Sequence, residues 1–362
     1  MTSTSGPVVS IKQNQPMTRF ERCFDSDKLS NQLPAIPLLR QLMDQWQLPG
    51  PDAAPTGHGL RLAVRAGYLN IYAMGQSVAR ISLAAGRVRL DVHHKYLGEE
   101  KALGRRRGDY VEFAGMVLAH LPDSLLDGWV RKAIDHHSGA EKRFVDDLVR
   151  ANAGIIDLEM ALPGDHDAEK EIRGVWKKVA PRMDLVLLQR NDTGVQIAFW
   201  EAKCGDNGEV RAAGPVPHVH SQLKQYVAWL NLPGRGAEVI AAYRRAAATL
   251  LDLAVRTGKT GCHAMELWRQ AGADAPLDMM IHPAIVIGNY CALNEERHRM
   301  LGKRHDSFHA GGVQSHHAKL TRLTIDSHQI RVQEYGAAPD TPLPALGGPI
   351  LTGPAPVGEQ RP

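Results

Sequence analysis

The sequence has no closely spaced cysteines and no long apolar run. The chain has 362 residues and four cysteines, Cys23, Cys204, Cys262 and Cys291. No two of them have the Cys-x-x-Cys spacing of a metal-binding site. Such scatter is typical of reduced thiols in a cytosol. No stretch approaches the ~18 apolar residues that span a bilayer, and no basic segment followed by an apolar run opens the chain. We therefore expect a cytoplasmic protein that does not contact membranes.

The excess of charge of one sign is also small. The chain carries 43 Lys and Arg against 39 Asp and Glu, a formal net charge of +4, so the arrangement of charge matters more than its total. Its hydrophobic content of 43% is sufficient for a core, and its length suggests about two domains. We predict a partly disordered N-terminal extension at residues 1–55 and a β-rich domain at 56–128. A second domain follows at 129–336, and a disordered tail rich in Pro and Gly at 337–362.

Residues 60–97 alternate between apolar and polar side chains with a period of two. In the last run, for example, Arg87 and Arg89 alternate with Val88 and Leu90. Glycines at positions 67, 75 and 86 separate the runs. This pattern predicts a small antiparallel meander of three or four strands, with one apolar face and one polar face.

The polar face of the predicted meander combines cations with aromatic side chains. If the apolar face is buried, the polar face carries Arg61, Arg65, Tyr68, Tyr72, Arg80, Arg87 and Arg89. Cations beside exposed aromatic rings suit contacts with phosphates and stacking of bases. The pattern therefore predicts a nucleic-acid-binding surface, and an ordinary solvated sheet face is the alternative.

The second half of the chain contains both helical and strand patterns. We predict, in order, a helix at 140–150, strands at 155–162, 183–188 and 195–200, helices at 221–230 and 237–271, and a strand at 281–287. The turn at 191–194 joins the second and third of these strands as a hairpin. This order of elements predicts a mixed α/β core.

Two carboxylates and a lysine are predicted to converge in this hairpin. Asp184 opens one strand, MDLVLL, and Glu201 and Lys203 end the next, IAFWEAK. Because the turn lies midway between them, Asp184 comes close to Glu201, and Glu201 shares one strand face with Lys203. Converging carboxylates hold Mg²⁺, which activates water for phosphodiester hydrolysis, and a nearby cation helps to position the water or the transition state. An ion pair at a strand end is the alternative.

These residues are part of a wider pattern. The stretches PRMDLVLL, IAFWEAK and QLKQY, in this order, resemble the PD-(D/E)xK nuclease superfamily, and within it the RecB-type branch with a Gln-x-x-x-Tyr helix, matched by Gln222 and Tyr226. The resemblance covers residues 137–290. It implies an α/β fold with a restriction-endonuclease-like mixed sheet and flanking helices, and Mg²⁺- or Mn²⁺-dependent cleavage of DNA. The chain departs from the pattern at Pro181, which precedes Asp184 by three positions.

The resemblance also implies which residues hold the metal. The predicted ligands besides an upstream acid are Asp184, Glu201 and the backbone carbonyl of Ala202. For the upstream acid we expect Glu141, which lies on the apolar stripe of its predicted helix, where a carboxylate needs a partner. Glu141 equally suits the start of that helix, where an acid favours the dipole. Glu159 is the next candidate for this ligand, and His137 is a third.

The same resemblance assigns further roles. Lys203 would orient the attacking water or stabilise developing charge, and Gln222 and Tyr226 would shape the site or touch the substrate. Arg211, in the run after Lys203, would meet a phosphate or be an ordinary solvated charge. We expect residues 56–128 to bind nucleic acid, most simply DNA, and residues 129–336 to be the nuclease domain. A bacterial role in restriction or phage defence is implied, with a protein partner or self-association.

Two other functions stay open at this point. The core could have lost catalysis and serve in nucleic-acid binding or partner docking. A zinc-dependent hydrolase could instead use the histidine-rich C-terminal region, which contains His305, His309, His316 and His317. Such a zinc site would need its histidines on a helix face and a further ligand.

Overall fold

The structure is a computed structural model that describes most of the chain. It describes residues 19–162, 169–172, 175–178, 182–205, 207–210, 216–290, 320–336 and 345–346. Residues 1–18 of the predicted extension, and all of the predicted tail except 345–346, lie outside these ranges. The helices are α1 (Ser26–Ser30), α2 (Pro37–Asp44), α3 (Gly115–His120), α4 (Leu125–His137), α5 (Ala140–Ala151), α6 (His218–Leu230), α7 (Arg235–Arg256) and α8 (His263–Gly272).

Within the described ranges the strands form two large sheets and two separate hairpins. Those before residue 150 are β1 (Arg61–Arg65), β2 (Tyr68–Ala73), β3 (Gln76–Ala84), β4 (Arg87–His93), β5 (Arg105–Arg107) and β6 (Tyr110–Ala114). Those after it are β7 (Ile155–Ala161), β8 (Glu169–Ile172), β9 (Val175–Lys178), β10 (Arg182–Asn191), β11 (Gly194–Cys204), β12 (Leu277–Met279), β13 (Ala284–Tyr290), β14 (Thr324–Ile325), β15 (His328–Gln329) and β16 (Val332–Gly336). Together the elements make a mixed α/β fold, as expected.

The first sheet confirms the predicted antiparallel meander and extends it. Its six strands run in the order β1-β2-β3-β4-β6-β5, and every neighbouring pair is antiparallel. Along β4 the side chains of Val88, Leu90 and Val92 are buried, whereas Arg87 is exposed. This alternation follows from the two-residue period of a strand. Helix α4 packs against β3 on the apolar side.

The second sheet is mixed and has the predicted order of elements around it. Its strand order is β16-β13-β11-β10-β7, with β12 also paired to β11. Strand β10 is antiparallel to both β7 and β11, whereas β13 lies parallel to β11. Helices α6, α7 and α8 form the connection from β11 towards β13. A parallel pair needs such a crossover, because its strands cannot be joined by a tight turn.

The single helix predicted at 237–271 is wrong, because the structure divides it into α7 and α8. The break contains Gly258 and Gly261, whose φ angles are 71° and 69°. Glycine adopts this left-handed conformation without a steric penalty. The backbone therefore leaves the helix after Arg256 and enters α8 at His263.

The two sheets share one apolar core. Ile81 of the first sheet and Ile197 of the second belong to the same cluster of buried side chains. Helix α2, inside the predicted N-terminal extension, joins this cluster through Leu38 and Leu42. None of the helices in the described ranges is long and apolar enough to cross a membrane.

The polar face of the first sheet is exposed only in part. Arg61, Arg65 and Tyr72 are 3%, 7% and 1% exposed, so the expectation that they face solvent is wrong. Strand β1 lies against β7 of the second sheet, and Tyr72 joins the second, smaller apolar cluster beside α5. Arg61 Nε donates to Asp146 Oδ1 at 3.1 Å, and Arg65 donates to Asp157. Both arginines are therefore interior ion-pair partners.

Candidate active site

The hairpin of β10 and β11 brings the predicted carboxylates together. The register pairs Leu185 with Trp200, and one step further along the two strands Asp184 stands opposite Glu201. Residues directly opposite in an antiparallel pair have Cβ atoms about 4.5–5.5 Å apart and face the same side. The Asp184 carboxylate also accepts the backbone N–H of Ala202 through Oδ2 at 3.0 Å. Asp184 is thus fixed beside the strand that carries Glu201.

Glu201 is the most enclosed acid of this group. Its side chain is 1% exposed, and its Oε1 atom lies 2.7 Å from Lys203 Nζ. The same Oε1 accepts a hydrogen bond from Gln222 Nε2 of α6 at 2.8 Å. Its other oxygen, Oε2, is buried and has no hydrogen-bond partner among the described residues. A buried acceptor without a partner is costly, and it marks a position that suits a ligand.

Lys203 is held between two carboxylates. Besides Glu201 it contacts Glu209, with Nζ 2.9 Å from Oε2. Burial on its own would lower the pKa of the Lys203 ammonium, but the charges of Glu201, Asp184 and Glu141 outweigh burial and raise that pKa. Lys203 is therefore charged at neutral pH and lies within the field of all these acids.

The two central carboxylates repel each other in a region with little solvent. Burial and the charge of Asp184 raise the pKa of Glu201 to about 8, although Lys203 opposes the shift. Burial also raises the pKa of Asp184, again against the effect of Lys203. Two acids whose ionisation is disfavoured in this way gain from a second positive charge beside them.

Glu141, the predicted upstream acid, lies close to this pair. Its charge contributes to the raised pKa of both Asp184 and Lys203. Its Oε2 atom accepts a hydrogen bond from Asn207 Nδ2 at 2.5 Å. Helix α5 places Glu141 here because its buried side packs against β11. The structure therefore brings Glu141 to the hairpin acids, with an amide as its present partner.

The two other candidates for the upstream acid have different surroundings. Glu159 of β7 is ion-paired with Lys142, and Arg182 Nη1 lies 3.9 Å from its other oxygen. Its φ angle of 49° is in the left-handed region, which is unfavourable for a glutamate. The ring of His137 packs edge-on against Tyr96, with centroids 5.5 Å apart.

Tyr226 and three unforeseen residues complete the surroundings. Tyr226 is fully buried, and burial together with the charges of Glu201 and Asp184 raises its pKa, so it lies near the acids. Sequence reasoning assigned no role to Lys142, Asn207 and Glu209. Their only signal was position, since Lys142 follows Glu141 directly and the other two belong to the polar run after Lys203.

The remaining predicted nucleic-acid contacts are spread over the first sheet. Arg87 is exposed. Arg89 is engaged in ion pairs with Asp91 at 3.3 Å and Glu112 at 3.2 Å. Tyr68 is partly buried. Arg211 and the four C-terminal histidines considered for zinc lie outside the described residues.

A divalent cation fits the donor set at the hairpin. Within the described ranges, no three His, Cys, Asp or Glu side chains are grouped as a ready-made metal cage. The pair of Asp184 and Glu201 nevertheless offers carboxylate oxygens, which Mg²⁺ prefers, and the unpartnered Oε2 of Glu201 is one of them. The chain matches no known family model, and it has no match among curated proteins or solved structures.

Proposed function

We propose that the protein is a metal-dependent nuclease of the PD-(D/E)xK type that hydrolyses phosphodiester bonds in DNA. One observation carries this proposal: Asp184 and Glu201 stand side by side in a buried hairpin, with the Lys203 ammonium 2.7 Å from Glu201 and one Glu201 oxygen without a partner. The restriction-endonuclease-like fold belongs to the same proposal. It is supported by the order of the second sheet: β7, β10 and β11 pair antiparallel in turn, helices follow, and β13 then lies parallel to β11.

Asp184, Glu201 and Glu141 would hold Mg²⁺ or Mn²⁺, with the carbonyl of Ala202 as a further predicted ligand. When bound, the ion would supply neutralisation of phosphate charge and an activated water. Glu201 is suited to this task because Lys203 and Gln222 both engage Oε1, which leaves Oε2 free. Glu141 would have to exchange its hydrogen bond with Asn207 for the ion.

Lys203 would stabilise the negative charge that develops on the phosphate. Its raised pKa keeps it protonated, so it acts as a fixed positive charge and not as a proton carrier. Gln222 orients the Glu201 carboxylate by donating to Oε1 at 2.8 Å. Tyr226, one helical turn further along α6, is fully buried within the field of Glu201 and Asp184, and it would shape the site.

The proposal is tested by incubating purified protein with linear, circular and single-stranded DNA, with and without Mg²⁺ or Mn²⁺. We expect cleavage only with the metal, and we expect Asp184→Asn and Glu201→Gln each to lower its rate by a hundredfold or more while remaining folded. Asp192→Asn is the matched control, because Asp192 lies on the exposed turn of the same hairpin. Equal rates in all three variants would refute the assignment.

The same experiment separates this function from the alternatives. Tight DNA binding without metal-dependent cleavage would favour a protein whose core has lost catalysis and serves in binding or docking. Stoichiometric zinc in the purified protein would favour a hydrolase centred on the C-terminal histidines. A role in bacterial restriction or phage defence, and any protein partner, stay predictions from the resemblance.

A further inference from the structure

A polar cavity of about 360 Å³ lies between the first sheet and the second. Tyr68, Arg80 and Tyr110 line it from the first sheet, and Glu159 and Arg182 line it from the second. Pockets for small molecules typically occupy about 300–1,000 Å³. This cavity is therefore large enough for one nucleotide and too small for a duplex.

Arg80 is the central cation of the cavity. Its guanidinium carbon lies 3.9 Å from the centroid of the Tyr110 ring and 5.4 Å from that of Tyr68. Its Nε–H is buried and has no hydrogen-bond partner among the described residues. A stacked guanidinium keeps its planar edge available for hydrogen bonding, and that edge matches the geometry of a phosphate. The unpartnered donor therefore points to an acceptor supplied by a ligand.

The charges of the lining favour an anion. Four cationic side chains face two acidic ones: Arg65, Arg80, Lys95 and Arg182 against Asp109 and Glu159. This is an excess of two positive charges. Arg65 already pairs with Asp157, and Arg182 Nη1 lies 3.9 Å from Glu159, which is also paired with Lys142. Arg80 and Lys95 are thus the cations most available to an incoming phosphate.

One wall of the cavity is continuous with the proposed active site. Arg182 precedes Asp184 by two residues on β10, so both side chains leave the same side of the strand about 7 Å apart, at ~3.4 Å per residue. The carbonyl of Arg182 accepts from Gln222 Nε2 at 3.4 Å, and the same amide donates to Glu201. The cavity and the proposed active site therefore adjoin at this end of β10.

We propose that this cavity holds one unpaired nucleotide of the DNA strand that is cut. Arg80 and Lys95 bind its phosphate, and the base lies against the rings of Tyr68 and Tyr110. Aromatic and guanidinium surfaces stack on any base, so the cavity selects for an unpaired nucleotide without selecting a sequence. The inference rests on the proposed nuclease function, and it adds that a frayed end or single strand is the preferred substrate.

Binding is measured without metal, so that cleavage does not enter the result. A fluorescent hexathymidylate is titrated with wild-type protein, Arg80→Gln, Arg80→Lys and Arg105→Gln in EDTA, and thermal melting verifies that each variant is folded. Arg105 is the matched control, because it is exposed on β5 of the same sheet and does not line the cavity. Losing one charge-assisted hydrogen bond should weaken binding about tenfold or more in Arg80→Gln. The affinity of Arg80→Lys should lie between those of Arg80→Gln and wild type, and that of Arg105→Gln should stay within about twofold of wild type.

The outcomes separate this inference from the nuclease assignment. Equal affinities for Arg80→Gln and Arg105→Gln would overturn the cavity proposal, whether or not the protein cleaves DNA. If Arg80→Gln weakened binding to a closed circular duplex by the same factor, the preference for an unpaired nucleotide would be overturned. An Arg80 effect confined to the hexathymidylate supports the inference, and it stands even if no cleavage is seen with Mg²⁺ or Mn²⁺.

Discussion

Replacing Asp157 by alanine should destabilise the protein strongly, because Asp157 joins separate parts of the fold. Its Oδ2 atom accepts from Arg22 Nε and from the Tyr243 hydroxyl, each at 3.0 Å. Its Oδ1 atom accepts from Arg65 of the first sheet. All three charged side chains are at least nine-tenths buried. The two arginines keep the pKa of Asp157 below its ordinary value, although burial opposes them.

The expected size of the effect follows from what Asp157→Ala leaves behind. Removing one partner of a buried ion pair typically costs about 3–5 kcal/mol, because the remaining charge is uncompensated. Here two arginines lose their partner. Arg65 retains hydrogen bonds to the Tyr72 hydroxyl and the Leu158 carbonyl. Most of the lost stability should therefore come from the uncompensated charge of Arg22. A total near 3–5 kcal/mol is a large part of the ~5–15 kcal/mol by which domains are stable.

The assay is urea unfolding at pH 7, with Asp147→Ala as the control. Asp147 pairs with Arg150 at the surface, and such pairs contribute about 0–1 kcal/mol. Because the folded pKa of Asp157 is lowered, its contribution is complete above its ordinary pKa, ~3.9, and is lost as pH falls through the lower folded value. The difference in the free energy of unfolding between wild type and Asp157→Asn should therefore shrink as the pH falls below about 4. If Asp157→Ala and Asp147→Ala lowered the free energy of unfolding equally at pH 7, the reasoning would be refuted.

Two further predictions concern the proposed site, and a third concerns the packing of β13 against α5. Lys203→Ala should lower kcat about a hundredfold or more with little change in DNA affinity; an equal fall in both would make Lys203 a phosphate clamp. Glu141→Gln should raise the Mg²⁺ concentration needed for half-maximal cleavage at least tenfold, whereas Glu159→Gln should not; the reverse order would make Glu159 the ligand. A Cβ at Gly288 would lie 2.6 Å from a buried phenylalanine ring of α5. Gly288→Ala should therefore lower the free energy of unfolding, measured in urea, by about 1–3 kcal/mol. Gly208 has open space around it, so Gly208→Ala should lower that free energy by less than half as much.

The parts of the fold that local patterns determine were predictable from the sequence. Asp184 and Glu201 were expected to meet because a four-residue turn fixes the register of their hairpin, and the structure has that register. The order of elements from α5 to β13 was predictable for the same reason, because each element has its own periodicity. The break near Gly258 was missed, since helical spacing continues on both sides of it, and the short strands β8, β9 and β12 were not predicted either.

The parts that depend on distant contacts were not predictable. Alternation correctly placed Arg61, Arg65 and Arg87 on the polar face of the meander, but it does not reveal what covers that face. Strand β7 covers the end near Arg65 and leaves Arg87 exposed. The cavity around Arg80 arises at this boundary, from residues separated by about a hundred positions in sequence. Its lining could not be assembled without the pairing of the two sheets.

The boundary between the sheets also bears on how the protein can be divided. Arginines at 22, 61 and 65 meet aspartates at 146 and 157 across it. A cut in the connection between α4 and α5 would leave the arginines in one fragment and the aspartates in the other. Opposite charges speed the encounter of two such fragments and penalise wrong pairings, and the apolar core would then hold them together. The chain is therefore suited to fragment complementation, in which neither half contains the complete proposed site and mixing restores both that site and the cavity.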